Sequence, residues 1–117
     1  MTLRLTADTL RAAYEYLITT PPFDDWNLPE GDDVVFKVVR SPRYFGRYMR
    51  DHRSRHLIEV SSRLVGWTQT LLKTVAHEMI HLHQGHAGME SDAQHNAAFW
   101  ALADEVCRIH GFDPKEF

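Results

Sequence analysis

The chain has 117 residues, of which 44% are hydrophobic and 25% are charged. That length predicts a single domain, residues 1–117, with a core large enough that folding does not depend on a metal. The net charge of −3 and the lack of long apolar runs argue against a generally basic nucleic-acid binder and against a membrane span. Cys107 is the only cysteine, which excludes a disulfide framework, and no signal peptide follows Met1, so we expect a cytoplasmic protein.

The first predicted element is a helix over residues 6–19. Thr6 suits the N-cap, Asp8 lies in the first turn where the helix dipole favours an acid, and Pro21 follows the last turn. Its apolar stripe consists of Leu10, Ala13, Tyr14 and Leu17. This helix is therefore expected to pack one face on the core.

Three short strands are predicted next, over residues 34–39, 44–49 and 56–61. The first and third are rich in β-branched and apolar residues, and Ser41-Pro42 marks a turn after the first. Because the links between the strands are short, the sequence favours an antiparallel meander. With three helices around it, the expected fold class is α+β, with a small antiparallel or mixed sheet.

Residues 77–81 read His-Glu-Met-Ile-His, the pattern H-E-x-x-H. On a helix, residues four apart lie on one face, so His77 and His81 can aim two nitrogens at one zinc ion about 2 Å away. Glu78 is rotated by about 100° from His77, so it suits a general base that takes a proton from water at the metal. The surrounding helix is predicted to run from an N-cap at Thr68 to Gln84, where Gly85 ends it.

The last predicted helix begins at a capping box, residues 91–94, and ends at Gly111 with Pro114 beyond it. An apolar stripe headed by a histidine runs along this helix: His95, Phe99, Leu102, Val106 and Ile109. A histidine in that position is either a satisfied core residue or a metal ligand. Because His77 and His81 lack a third partner, and the chain between can fold the helix back, we favour a ligand role for His95.

Other third ligands are weaker candidates. One zinc-peptidase class continues the motif as H-E-x-x-H-x-x-G-x-x-H, but Gln84 and Ala87 occupy the Gly and final His positions here. His83 and His86 remain as minor alternatives. A second class uses a downstream Glu, and Glu105 lies too far inside the last helix to serve.

Taken together, these segments resemble the SprT-like family of Spartan-type minimal zincins. The similarity rests on the strand at residues 56–61, on Leu72–His81 around the motif, and on the His95-to-Phe99 spacing. The resemblance implies a zinc metalloendopeptidase that hydrolyses peptide bonds of proteins, some of them DNA-associated. By this resemblance His77, His81 and His95 would bind one catalytic zinc, and Glu78 would be the general base.

The sequence departs from the family in two respects. Asn96 follows the third histidine where the family often has Gly, and a single cysteine leaves no zinc ribbon. Substrate is expected as an added strand along the strand that contains Ile58 and Val60. The sequence leaves several donors open for the oxyanion, namely Tyr44, Tyr48, His83 and His86.

A basic segment between residues 37 and 56 holds seven Lys or Arg residues against one Asp. It predicts weak DNA binding through Lys37, Arg40, Arg43, Arg47, Arg50, Arg53 and Arg55. The competing interpretation is that these side chains pair with the acidic loop of Asp24, Asp25, Asp32 and Asp33. The alternative to an enzyme is a zinc-stabilised module that binds nucleic acid or protein without turnover, although a structural site has no use for Glu78.

Overall fold

The structure, a computed structural model, describes residues 3–88 and 95–117. These residues form three α-helices and a three-stranded mixed sheet, which confirms the α+β fold class. The α-helices and strands are α1 Ala7–Leu17, β1 Val34–Val39, β2 Gly46–Arg50, β3 His56–Ser61, α2 Thr68–His86 and α3 Ala97–His110, and two short 3₁₀ helices lie at Phe23–Asp25 and Gly31–Asp33. No helix in these two ranges is long and apolar enough to cross a membrane.

The strands run in the order β1-β3-β2, so the antiparallel meander is wrong. β3 is central, parallel to β1 and antiparallel to β2. All six residues of β3 are buried, whereas β2 carries Arg47 and Arg50, and charged residues suit an edge strand. Consequently Ile58 and Val60 lie on a strand whose two edges are both paired, and the expectation that substrate adds to that strand is wrong.

Helices α1 and α2 cover one face of the sheet and form the core with it. α1 keeps its predicted cap, because the Thr6 side chain accepts from the Thr9 main chain. The core between sheet and helices is fully buried and includes Tyr14, Ile58, Val60, Val75 and Met79. α2 is thus held on the sheet along its length, and this fixes the direction in which the H-E-x-x-H residues point.

The ends of α2 differ from the prediction. Trp67 is the N-cap and makes no side-chain cap bond, while Thr68 is the first helical residue. The helix continues through Gly85 to His86, since burial of Leu82 and Gln84 outweighs the modest helix penalty of one glycine.

The start of α3 also differs from the prediction, because the helix begins after His95. Asn96 is the N-cap, and its side-chain oxygen accepts from the Phe99 main-chain N–H at 2.8 Å. The predicted capping box at residues 91–94 lies outside the described residues. His95 therefore precedes the helix, and it does not head the helical stripe.

β2 approaches α2 closely at Gly46. A Cβ built at this position would lie 2.6 Å from the Thr74 Cγ2 methyl, 3.1 Å from the Glu59 carbonyl oxygen and 3.2 Å from a Glu78 carboxylate oxygen. Glycine is needed here because any side chain would push the edge strand away from the helix that carries Glu78.

We expect Gly46→Ala to destabilise the protein by about 1–3 kcal/mol, the usual cost of overpacking. Thr74→Ser removes the methyl group that the new Cβ would meet, so part of that cost should be recovered in the double variant. Urea unfolding of the four proteins gives the coupling free energy. Strictly additive effects would contradict the close approach of Gly46 to Thr74.

Candidate metal centre

Three histidine side chains converge between α2 and the start of α3. His77 and His81 lie one turn apart on α2, and His95 comes from the residue before the α3 cap. One ligand nitrogen from each lies within 4.8 Å of the others, and the Nε2 atoms of His77 and His95 are 3.2 Å apart. Nitrogens bound tetrahedrally to zinc at 2.0–2.1 Å are about 3.3 Å apart, so the group fits zinc.

The Phe99 ring packs against all three imidazoles. Its ring centroid lies 4.6 Å from those of His81 and His95 and 5.0 Å from that of His77. The Phe99 side chain is 0% exposed, so it is fixed by the core. The four-residue spacing from His95 to Phe99 therefore places the His95 ring against the buried Phe99 ring.

His77 and His81 are in the form that binds metals. Burial lowers the pKa of His77 and of His81 to about 4, and the neighbouring imidazoles add to the effect. Both rings are therefore neutral at neutral pH. The Nδ1 atom of His77 lies 2.8 Å from the Phe117 main-chain oxygen, which can only accept. Nδ1 must carry the proton, and the Nε2 lone pair of His77 is left for a metal.

Glu78 points from α2 toward the edge strand β2. The residue is 5% exposed, and burial raises the pKa of its carboxyl to about 8, although a hydrogen bond from the Tyr48 main chain opposes the shift. Glu78 and His77 line one cleft of about 210 Å³. Its other lining residues are Phe45, Gly46, Lys73, Thr74, Glu116 and Phe117.

Comparison with known proteins agrees with this geometry. A family model described as the SprT-like family matches residues 25–116, which is well over half of the chain. The chain belongs to the SprT-like family. Neither the curated proteins nor the solved structures gave a match.

The minor ligand candidates of this SprT-like chain lie apart from the three histidines. His83 stacks on Trp26 with a centroid distance of 4.4 Å, and its buried Nδ1 atom has no hydrogen-bond partner among the residues that the structure describes. His86 is exposed and packs edge-on against His56. Within residues 3–88 and 95–117, the only grouping that could hold a metal is His77, His81 and His95.

The two tyrosines proposed for the oxyanion have other partners. The Tyr48 hydroxyl lies 2.7 Å from His56 Nδ1, and the Tyr44 hydroxyl donates to Glu59 at 3.3 Å. The cleft instead contains Lys73, which the sequence reasoning missed. The available signal was its position one helical turn before His77.

Two arginines of the basic segment form ion pairs. Arg47 pairs with buried Glu59 at 2.8 Å and Arg55 pairs with Asp51 at 2.8 Å. Of the acidic loop, Asp32 pairs with Arg11 instead. No ion pair joins the basic segment to that loop in the part of the chain that the structure describes.

We expect His95→Ala to lower zinc affinity strongly, because three protein ligands are the minimum for a catalytic zinc site. His86→Ala is the matched control and should bind one zinc as tightly as the parent. Competition with a chromophoric chelator measures both affinities. Full zinc binding by His95→Ala together with loss in His86→Ala would show that the ligand set is wrong.

Proposed function

We propose that this protein is a zinc metalloendopeptidase that hydrolyses peptide bonds of protein substrates. The observation that carries the proposal is the cleft itself, because a buried carboxylate, Glu78, and a metal-competent imidazole, His77, line the same open space. Structural zinc sites normally have four protein ligands, whereas catalytic sites have three and keep a position for water or substrate. His77, His81 and His95 supply three, which favours the catalytic interpretation.

Zinc held by these histidines would polarise a substrate carbonyl and lower the pKa of water. Burial raises the pKa of the Glu78 carboxyl to about 8 in the metal-free protein, and a zinc ion at the histidines would shift it toward the ionised form that acts as a base. The Glu78 carboxylate would take a proton from the attacking water as the carbon–oxygen bond forms. Glu78 would then pass that proton to the amide nitrogen as the carbon–nitrogen bond breaks, so that an acid and an amine leave.

The outer edge of β2, which pairs with no other strand among residues 3–88 and 95–117, supplies a path for an extended substrate. The main-chain carbonyl of Phe45 points toward β3, because its oxygen accepts from the Ser61 N–H at 2.8 Å. Alternation along an antiparallel strand then points the main-chain groups of Gly46 and Tyr48 away from β3. The Tyr48 N–H already bonds Glu78, and Gly46 lines the cleft. A peptide added at Gly46 would pass Glu78 and His77, so β2 replaces β3 as the proposed docking strand.

Glu78→Gln should retain zinc and the fold while losing peptidase activity by about 10²–10⁴-fold, because the base is removed at nearly constant volume. A fluorogenic protein substrate with and without chelator measures the rate. Glu105→Gln makes the same chemical change on the exposed face of α3 and should keep the parent rate.

Two outcomes would change the proposal. Cleavage by Glu78→Gln at the parent rate would remove Glu78 from the mechanism. If the parent binds zinc but cleaves no protein under any condition tested, the alternative of a zinc-stabilised binding module without turnover replaces the enzyme.

Weak DNA binding by the basic segment stays a second proposal, supported by three exposed arginines. Arg40, Arg43 and Arg53 have no ion pair among the described residues, unlike Arg47 and Arg55. Arg47 is a poor choice for mutation, since its replacement by Glu would leave Glu59 buried beside a second carboxylate.

The test compares two triple variants of equal charge. Replacing Arg40, Arg43 and Arg53 by Glu should abolish binding of single-stranded DNA at low salt, with zinc retained. Replacing the exposed Arg4, Arg63 and Arg108 by Glu should weaken it much less. For the parent, we expect a log–log salt slope of about −2 to −4, as for a few neutralised phosphates. No binding by the parent at low salt would reject the proposal.

A further inference from the structure

The chain after α3 returns to the metal centre. Residues 112–117, which we call the C-terminal strap, carry two aromatic rings that pack on each other, Phe112 and Phe117, with centroids 5.8 Å apart. The Phe117 ring also lies 5.2 Å from the His77 ring. Both phenylalanines are partly buried against the core, so the strap is held in place by apolar contacts.

The strap also makes a polar contact with His77. The Phe117 main-chain oxygen accepts from His77 Nδ1 at 2.8 Å, and the other ring nitrogen, Nε2, faces His95 Nε2 at 3.2 Å. A neutral imidazole has one N–H, so this single bond decides both which nitrogen has the free lone pair and how the ring is turned. Among the described residues, neither His81 nor His95 has a comparable bond to a main-chain oxygen.

We propose that the C-terminal strap is a positioning element of the metal centre, in which Phe117 holds His77 in its metal-binding tautomer and orientation through its main-chain oxygen. The two aromatic rings keep that oxygen at its distance from His77. The proposal rests on the metal-binding half of the proposed function and is independent of turnover. It assigns a role to a segment that contributes no ligand and no base.

The same segment is one wall of the cleft that contains Glu78. Glu116 and Phe117 line that cleft together with Phe45 of the opposite wall. Phe45 is a large exposed apolar residue for which no ring contact with His77 is seen in residues 3–88 and 95–117. The two walls therefore provide a matched pair of phenylalanines, of which only one touches a ligand.

Zinc affinity of the full chain tests the role of the strap. Phe112→Ala combined with Phe117→Gly removes both rings, and we expect zinc affinity to fall by about 10–100-fold, as when an outer partner of a ligating histidine is lost. Phe117→Leu keeps an apolar anchor and should stay close to the parent. Phe45→Ala removes a ring from the other wall and should leave zinc affinity unchanged. Parent-like affinity in the double variant would overturn the proposal.

The metal-free protein gives a second, independent readout. Nitrogen-15 NMR of the histidine rings at pH 7.5 should show His77 with its proton on Nδ1 in the parent, in Phe117→Leu and in Phe45→Ala. In the double variant, the tautomer with the proton on Nε2 should become populated. If zinc affinity falls while His77 keeps its Nδ1 proton, the strap acts only through general stability and the proposal fails. If even the parent binds no zinc, the proposed function fails, and the tautomer measurement alone decides the role of the strap.

Discussion

Helix α2 faces three different surroundings, and its packing on the sheet determines which residues face each of them. Its apolar face, with Val75 and Met79, is buried in the core. His77 and His81 point from a second face toward the start of α3, and Glu78 points from a third toward β2. A rotation of α2 by one residue, about 100°, would bury the ligands and expose the core. The burial of α2 thus sets the positions of Glu78, the proposed base, and of His77 and His81 together.

The elements on either side of α2 pack closely against it in this orientation. β2 can lie beside Glu78 because Gly46 has no side chain, and the Tyr48 main-chain N–H on the outer edge of β2 bonds that carboxyl. On the other side, Phe99 fills the space under the three imidazoles. Glu78 and the three histidines are therefore supported by different elements, so that a change on one side need not disturb the other.

The sequence predicted the parts of the site that lie within one element. The four-residue spacing of His77 and His81 and the rotation of Glu78 follow from helix geometry alone. His95 was chosen because His77 and His81 lacked a third ligand, and its ligand role stays a prediction. Its placement inside α3 was wrong, because the N-cap of α3 is Asn96, the residue after His95. A histidine just before a cap has no periodic signal, so the helical stripe was a poor guide to its surroundings.

Features that depend on contacts between distant segments could not be predicted from the sequence. Three short strands with short links fit several strand orders, and the central place of β3 depends on which strand tolerates burial on both faces. The bond between His77 and the Phe117 main-chain oxygen joins residues 40 positions apart, and a main-chain acceptor has no signature in sequence. Lys73 was missed for a related reason, because its relevance comes from the cleft and not from a motif.

The electrostatics of the site give a physical reason for the folded protein to favour a bound metal. The folded-state pKa of Glu78 is raised to about 8, so its burial costs stability increasingly as the pH rises above 4.5, the ordinary pKa of Glu. The pKa values of His77 and His81 are lowered to about 4, so their burial costs stability as the pH falls below 6.5. Near neutral pH the cost comes mainly from Glu78. A dication bound by the histidines would favour the ionised carboxylate and compete with protons for the imidazole nitrogens, which relieves both costs. Because ligand binding stabilises the folded state by mass action, the groups that destabilise the metal-free protein are those through which zinc would stabilise it.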